Sequence, residues 1–286
     1  MSVRAPYLEF FNRSMGSIFL RLSCVGFPVR AFTWLLLLTT AACNTTEAQL
    51  NSASAMLSSA NEALRQEKLD EAIKLAKKAS ETAQKDALIQ QRAGEILFLA
   101  GRVDAALPCF DRAIELDASL APENWQRGVA LGCAGKFAEG AEQFRSHHEV
   151  NPDDVENSAW YFLCVAKIKG KAAAEATVIP SRGDRRQPMM SVLKMLQGTL
   201  APDEVLAAAE ANTKEGPERK LAMFYGFLYV GLYYDSIGEI EKARSALDRS
   251  IALAEKDYMG RTARVYREHR FEKSPSGPSK PSSDSK

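Results

Sequence analysis

The sequence predicts an all-α protein built as a stack of repeated helix pairs, and three observations carry that prediction. The middle of the chain is rich in Ala, Leu, Glu, Lys and Arg, the strongest helix formers. No run of alternating β-branched residues bounded by turn signals breaks it, which argues against a sheet. Residues also recur at a fixed interval of 34: Gly94 with Gly128, Gly101 with Gly135, Val103 with Phe137 and Phe110 with Phe144. A formal net charge of +1 over 286 residues gives no electrostatic case for nucleic acid or for an anionic membrane surface.

The first element is an apolar run from Ala31 to Ala42, too short for a spanning helix, which needs about 20 residues. Arg21 and Arg30 precede it, and Thr39, Thr40, Ala41 and Ala42 follow. A basic region, a short apolar stretch and a small-residue exit describe a secretory leader over residues 1–42, with Met15 an alternative start. Small residues leading straight into Cys43 resemble a bacterial lipoprotein box. That resemblance implies a lipid on Cys43, although Thr40 stands where the pattern has Leu. Thr40 and Ala42 also satisfy a small-x-small cleavage site, so export without lipid stays open. Residues 43–52 then read as a tether. Cys109, Cys133 and Cys164 have no metal-like spacing and sit in helical patterns, as small buried hydrophobes do.

Residues 53–177 carry the repeats. Ala60, Ala72, Ala76 and Ala79 lie 34 before Gly94, Ala106, Phe110 and Ala113, and ENSAWYFLCVAKIKGKAAAEA, containing Trp160, is a degenerate fourth unit. FLYVGLYYDSIGEIEKARSALDRSIALAEKD repeats the frame through Gly231, Tyr234, Gly238, Ala243, Leu247 and Ser250. These residues resemble the tetratricopeptide-repeat family, which implies antiparallel helix pairs stacked into a right-handed solenoid. In that frame Gly94 and Gly128 face Ala106 and Gly140 across each pair. Gly101, Gly135 and Gly238 form the turns between helices, and Val103, Phe137 and Ile240 restart the apolar stripe.

An insert over residues 178–217 interrupts the pattern. VIPSRGDRRQPMM reads as a loop punctuated by Pro180, Gly183 and Pro188. A short helix ending at Gly198 follows, then another with Pro202 at its start and Asp203 and Glu204 in its first turn. Residues 218–271 return to one repeat and a last helix, YMGRTARVYREHR, expected to cap the exposed end of the stack. The tail, residues 272–286, is Ser-, Pro- and Lys-rich and is expected to be disordered. Trp160 and Leu163, LKMLQGTLAPDEVLAAA, ERKLAMFYGFLYVGLYYDSIGEIEKA and DYMGRTARVYREH together resemble the new lipoprotein I family of bacterial envelope proteins. The resemblance implies an outer-membrane tether, a homodimer, and an adaptor that brings a periplasmic protease to substrate and binds peptidoglycan hydrolases.

Catalytic patterns are weak. His147 and His148 are adjacent, so on a helix they point about 100° apart and cannot share one ion; with Glu149 they read as a solvated helix end. AGKF at 134–137 lacks the earlier Gly and the Ser/Thr of a phosphate loop. His269 is the one remaining His, which leaves little material for a Ser–His or Cys–His pair. We therefore expect no enzyme, no cofactor and no metal.

By the frame of the repeat, the binding positions on the inner face are Leu57, Asn61 and Leu64, then Gln91, Glu95 and Phe98, then Trp125 and Val129, and later Leu228, Leu232 and Asp235. Leu57 stands where the chaperone-binding subfamily has the first Lys of its clamp, which argues against a chaperone-tail receptor. A mixed apolar and polar groove suits an extended or helical peptide, with Phe98 and Trp125 as aromatic anchors. Trp125 equally fits packing between repeats. Arg182, Asp184, Arg185 and Arg186 make the insert loop either a second contact point or a solvated loop. The reading is a non-enzymatic protein-binding adaptor in the bacterial cell envelope, membrane-anchored and facing the periplasm. The alternatives are a soluble exported protein, a cytoplasmic assembly scaffold, and a cell-wall enzyme with its site in the groove.

Overall fold

The computed structural model describes the backbone of residues 29–272 and the side chains of residues 47–272. Among the described residues there is no strand. Thirteen α-helices follow in order: α1 (Val29–Arg65), α2 (Leu69–Thr82), α3 (Ala87–Leu99), α4 (Val103–Leu116), α5 (Trp125–Cys133), α6 (Phe137–Val150), α7 (Val155–Lys169), α8 (Lys171–Ala176), α9 (Met189–Leu196), α10 (Pro202–Ala211), α11 (Pro217–Ser236), α12 (Ile240–Leu253) and α13 (Tyr258–Phe271). None of the described helices is long and apolar enough to cross a membrane. The chain divides into a unit ending at Thr45 and a unit beginning at Thr46. Residues 43–52, expected as a tether, fall within α1 and are helical. Residues 1–28, the Cys43 side chain and residues 273–286 lie outside the described residues.

The helices pair as the 34-residue frame predicts, α3 with α4, α5 with α6 and α11 with α12, and successive pairs pack through α2–α3, α4–α5 and α6–α7. Each pair closes on a glycine, but not against the small residues expected. A Cβ on Gly94 would sit 2.8 Å from the Phe110 ring, one on Gly128 2.7 Å from Phe144, and one on Gly231 2.8 Å from Leu247. The missing side chain of the first helix thus makes room for a large one on the second, one turn beyond Ala106. A Cβ on Gly140 would lie 3.7 Å from the Gly128 carbonyl oxygen but only 2.9 Å from Cys164 Sγ, so its tighter neighbour is in the next pair.

The turns between helices use left-handed backbone at Gly101 and Gly135, φ 74° in both. The first pair makes the same turn without glycine: Glu67, 34 positions before Gly101, has φ 60°. The fourth unit is truncated, because α8 has six residues against fourteen in α6. In its place α9 packs on α7 and α11, and α10 on α11, so the insert bridges the two runs of repeats. Glu204 accepts a hydrogen bond from the Ala201 N–H at 2.8 Å, closing the first turn of α10.

Two expectations fail here for physical reasons. The insert loop is not merely solvated. Arg182 pairs with Asp153 at 3.2 Å, and Arg186 reaches Asp154 at 2.7 Å as well as Asp184 and Glu156, tying the loop to the start of α7. His147 is not at a solvated helix end either: it is 4 % exposed, and its Nδ1 lies 2.8 Å from the Pro122 carbonyl oxygen, which fixes Nδ1 as the protonated nitrogen. Cys109, Cys133 and Cys164 are free and buried, and burial pushes the Cys164 thiol up to about 12.

Candidate functional site

The last helix does more than cap the stack. α13 is rich in charge, yet Arg261, Thr262, Ala263, Val265 and Tyr266 are all buried. Its side chains reach the first helix of every pair. Arg261 donates to the Leu64 carbonyl of α1 and to Glu67 Oε1 at 2.9 Å. Tyr258 meets Trp125 of α5 edge-on, ring centroids 5.1 Å apart, and Tyr266 meets Trp160 of α7 at 5.3 Å. His269 Nε2 lies 3.3 Å from the Gly101 carbonyl oxygen at the end of α3. Tyr266 and Arg270 both bind Asp235 of α11. Fourteen helical residues span only about 21 Å. A helix that short can touch five successive first helices only from the concave side of the stack, so α13 fills the groove.

Its C-terminal half is locked by one carboxylate. Asp235 has no exposed surface and accepts from Tyr266 Oη, Arg270 Nε at 2.9 Å, Arg270 Nη2 at 3.1 Å and Lys167 Nζ at 2.9 Å. Burial alone would push this carboxyl up, but the Arg270, Tyr266 and Lys167 donors outweigh it and hold the group below the usual carboxylate range. The same contact raises the Tyr266 hydroxyl, first through burial and then through the Asp235 charge.

The N-terminal end of α13 is held differently. Tyr258, with residues of α1 and α3, encloses a pocket of ≈ 220 Å³ lined by Leu57, Ser58, Asn61, Arg92 and Glu95 among others. Glu95 Oε1 accepts from Gln91 Nε2 at 3.0 Å and Gln126 Nε2 at 3.3 Å. Gln91 is itself oriented by Asn124 Nδ2 at 2.6 Å. Glu95 has no cation in ion-pair contact among the described residues, and burial raises its carboxyl above the ordinary value.

The expected binding positions therefore separate into three groups. Asn61 and Glu95 come together in the pocket, with Gln91 behind Glu95, while Leu57, 2 % exposed, forms its floor as part of the core. Trp125 and Asp235 do hold a helix, but the helix is α13 of the same chain. Phe98 and Val129 have no exposed surface, Leu228 has none and Leu232 has 1 %, so these four belong to the continuous apolar core and offer nothing to a partner. Phe98 is thus corrected from anchor to core residue. The frame places a residue on the first helix but is blind to what covers it, and α13 with the neighbouring pairs covers this face. Ser58, Arg92 and Tyr258 were missed. For Tyr258 the signal was present: residues 258, 262, 265 and 266 recur at helical spacing and form a buried stripe rather than a solvated face. No group of three or more His, Cys, Asp or Glu side chains that could hold a metal ion occurs among the described residues.

Residues 87–120 match the family model for the tetratricopeptide repeat. That span is α3, α4 and the short 3₁₀ turn after them, the pair with the Gly94–Phe110 contact. The fold is all-helical with a tetratricopeptide repeat, arranged as a helical solenoid. A repeat of this class supports a scaffold for protein–protein interaction.

Proposed function

We propose that the protein is a non-enzymatic adaptor of the bacterial cell envelope, anchored through a lipid on Cys43, that holds a segment of another protein at the pocket between α1, α3 and the start of α13. The observation that carries the binding part is that the pocket stays open while α13 fills the rest of the inner face. Tetratricopeptide stacks bind protein segments on that face, and Ser58, Asn61 and Glu95 supply polar contacts to one over the apolar floor at Leu57. The envelope part is supported by the leader pattern before Cys43 and by the resemblance to the new lipoprotein I family, which also suggests proteases and cell-wall hydrolases as partners and a homodimer as the working form.

A photo-crosslinking residue placed at exposed Ser58 in the native cell, beside a control at Arg145 of α6, tests the binding reading. Discrete protein adducts at position 58 and none at 145 are expected; equal adducts at both positions, or none at 58, overturn it. Intact mass of the same protein, compared with Cys43→Ser, reads the anchor. A chain beginning at acylated Cys43 is expected, and an unmodified chain that keeps residues 1–42 overturns the envelope assignment.

A further inference from the structure

A second groove, of ≈ 480 Å³, lies between α11 and α12 and shares no residue with the pocket beside Tyr258. Its floor is apolar: Met223 and Phe227 come from α11, Ala252 and Leu253 from α12. Met223 and Leu253 are half-buried and Ala252 is exposed, so the floor is open to solvent rather than sealed. Every charged side chain that lines it is a cation: Arg219, Lys220 and Arg249. Lys220 is already engaged by Glu255. Arg219 donates to the Thr213 carbonyl oxygen at 3.0 Å and has no carboxylate within ion-pair distance among the described residues. Arg249 makes no hydrogen bond or ion pair among the described residues; its guanidinium lies over the Phe227 ring, 4.2 Å from the centroid. That stacking holds the side chain across the floor and leaves its planar fork of N–H donors unspent.

We propose that this groove is a docking surface for an acidic amphipathic helix of another protein, with apolar side chains on Met223, Phe227 and Leu253 and a carboxylate on Arg249. Charge complementarity selects the occupant. A guanidinium offers two parallel donors that one carboxylate accepts together. A basic segment would bring like charge to Arg219 and Arg249, which disfavours it. A groove walled by two helices covers only one side of what it holds. A free acyl chain would keep its other side in water, whereas an amphipathic helix turns a polar face there. The surface goes beyond the binding reading given above: it offers an adaptor a second place to hold a protein, and it can be measured without the first.

The probes are an alanine-based helical peptide with a pair of leucines and one glutamate on the same face, its glutamine and lysine counterparts, and decanoate. Each is titrated into the full chain, and the methyl NMR signals of Met223 and Ala252 are read. Saturable shifts are expected with the glutamate peptide, about fivefold weaker with glutamine, the size of a well-formed exposed ion pair, and weakest with lysine. Arg249→Gln should erase the difference between the glutamate and glutamine peptides while keeping their shared apolar binding. Ala252→Trp, at an exposed position, should cover the floor and abolish the binding of both with the helical content unchanged. No saturable shift, equal binding of the glutamate and lysine peptides, an undiminished glutamate preference in Arg249→Gln, or tighter binding of decanoate than of the glutamate peptide overturns the proposal. Crosslinked partners at Ser58 without peptide binding here overturn this surface alone. Peptide binding here without crosslinked partners at Ser58 overturns the earlier binding reading alone.

Discussion

The helix pairs α3–α4 and α5–α6 and the single helix α13 are fixed in place by different means. The pairs close by shape, with Phe110 filling the space over Gly94 and Phe144 the space over Gly128. α13 buries Val265 and Tyr266 as well, but it is fixed in place by charge and hydrogen bonds from Asp235, Glu67 and the Leu64 carbonyl. Shape complementarity repeats from one pair to the next and so leaves a period. Polar fixtures are used once each. The difference teaches that this solenoid is assembled by repetition and finished by individual contacts, and that the open site lies beside Tyr258, at the end of α13 away from the Asp235 cluster.

The largest expected effect separates those two means. Asp235→Ala leaves Arg270 and Lys167 without their shared carboxylate in a buried place, which costs about 3–5 kcal/mol. At about 2–4 °C per kcal/mol this is on the order of 10 °C in melting temperature. If α13 is an appendage rather than a filling, the loss will be under about 1 kcal/mol, as for an exposed ion pair.

Next comes a test of shape. Gly94→Ala forces a Cβ to within 2.8 Å of the Phe110 ring and should cost about 1–3 kcal/mol in urea unfolding. Adding Phe110→Leu should recover part of that loss, because the smaller side chain vacates the contact. Independent, additive losses would show that the two residues do not share the space.

A third prediction concerns pH and the insert loop. Burial pushes Glu156 up to about 7; Arg186 and the Tyr229 hydroxyl, 2.6 Å away, oppose this, while Asp154 and Asp184 add to it. The folded chain therefore holds this proton more tightly than the unfolded chain does. The stability it contributes is fully present below about pH 4.5 and is lost as pH rises through about 7. Unfolding free energy should fall by on the order of 2 kcal/mol over that window, and Glu156→Gln should flatten the slope. An identical slope in the variant would place the titration elsewhere.

The smallest effect is expected at Glu67. Its left-handed backbone is strained by about 1 kcal/mol, which Glu67→Gly relieves, but the same change removes the carboxylate that Arg261 uses. The two should nearly cancel, leaving under about 1 kcal/mol net. A gain of the full strain energy would mean the Arg261 contact contributes nothing.

Much of the fold could be read from the sequence, because Gly94, Gly128, Phe110 and Phe144 recur in a fixed frame and Gly101 and Gly135 mark the turns. The insert helices were also readable, from Pro202 and Gly198. The site was readable only in part. Leu57, Asn61 and Glu95 follow from the frame, whereas Phe98 and Leu228 follow the same frame and end in the core. A repeat frame fixes the direction in which a side chain points. It does not record that a later helix lies across it, and Asp235 shows the consequence: a groove position by frame that turns out to bind the protein's own α13.

Hydrogen exchange of the peptides covering α13, compared with those covering α3, tests the filled groove most directly. The account predicts that residues 262–270 exchange as slowly as α3 in the native chain and faster than α3 in Asp235→Ala. Fast exchange of α13 in the unaltered protein, at the rate of an exposed terminal helix, would contradict it.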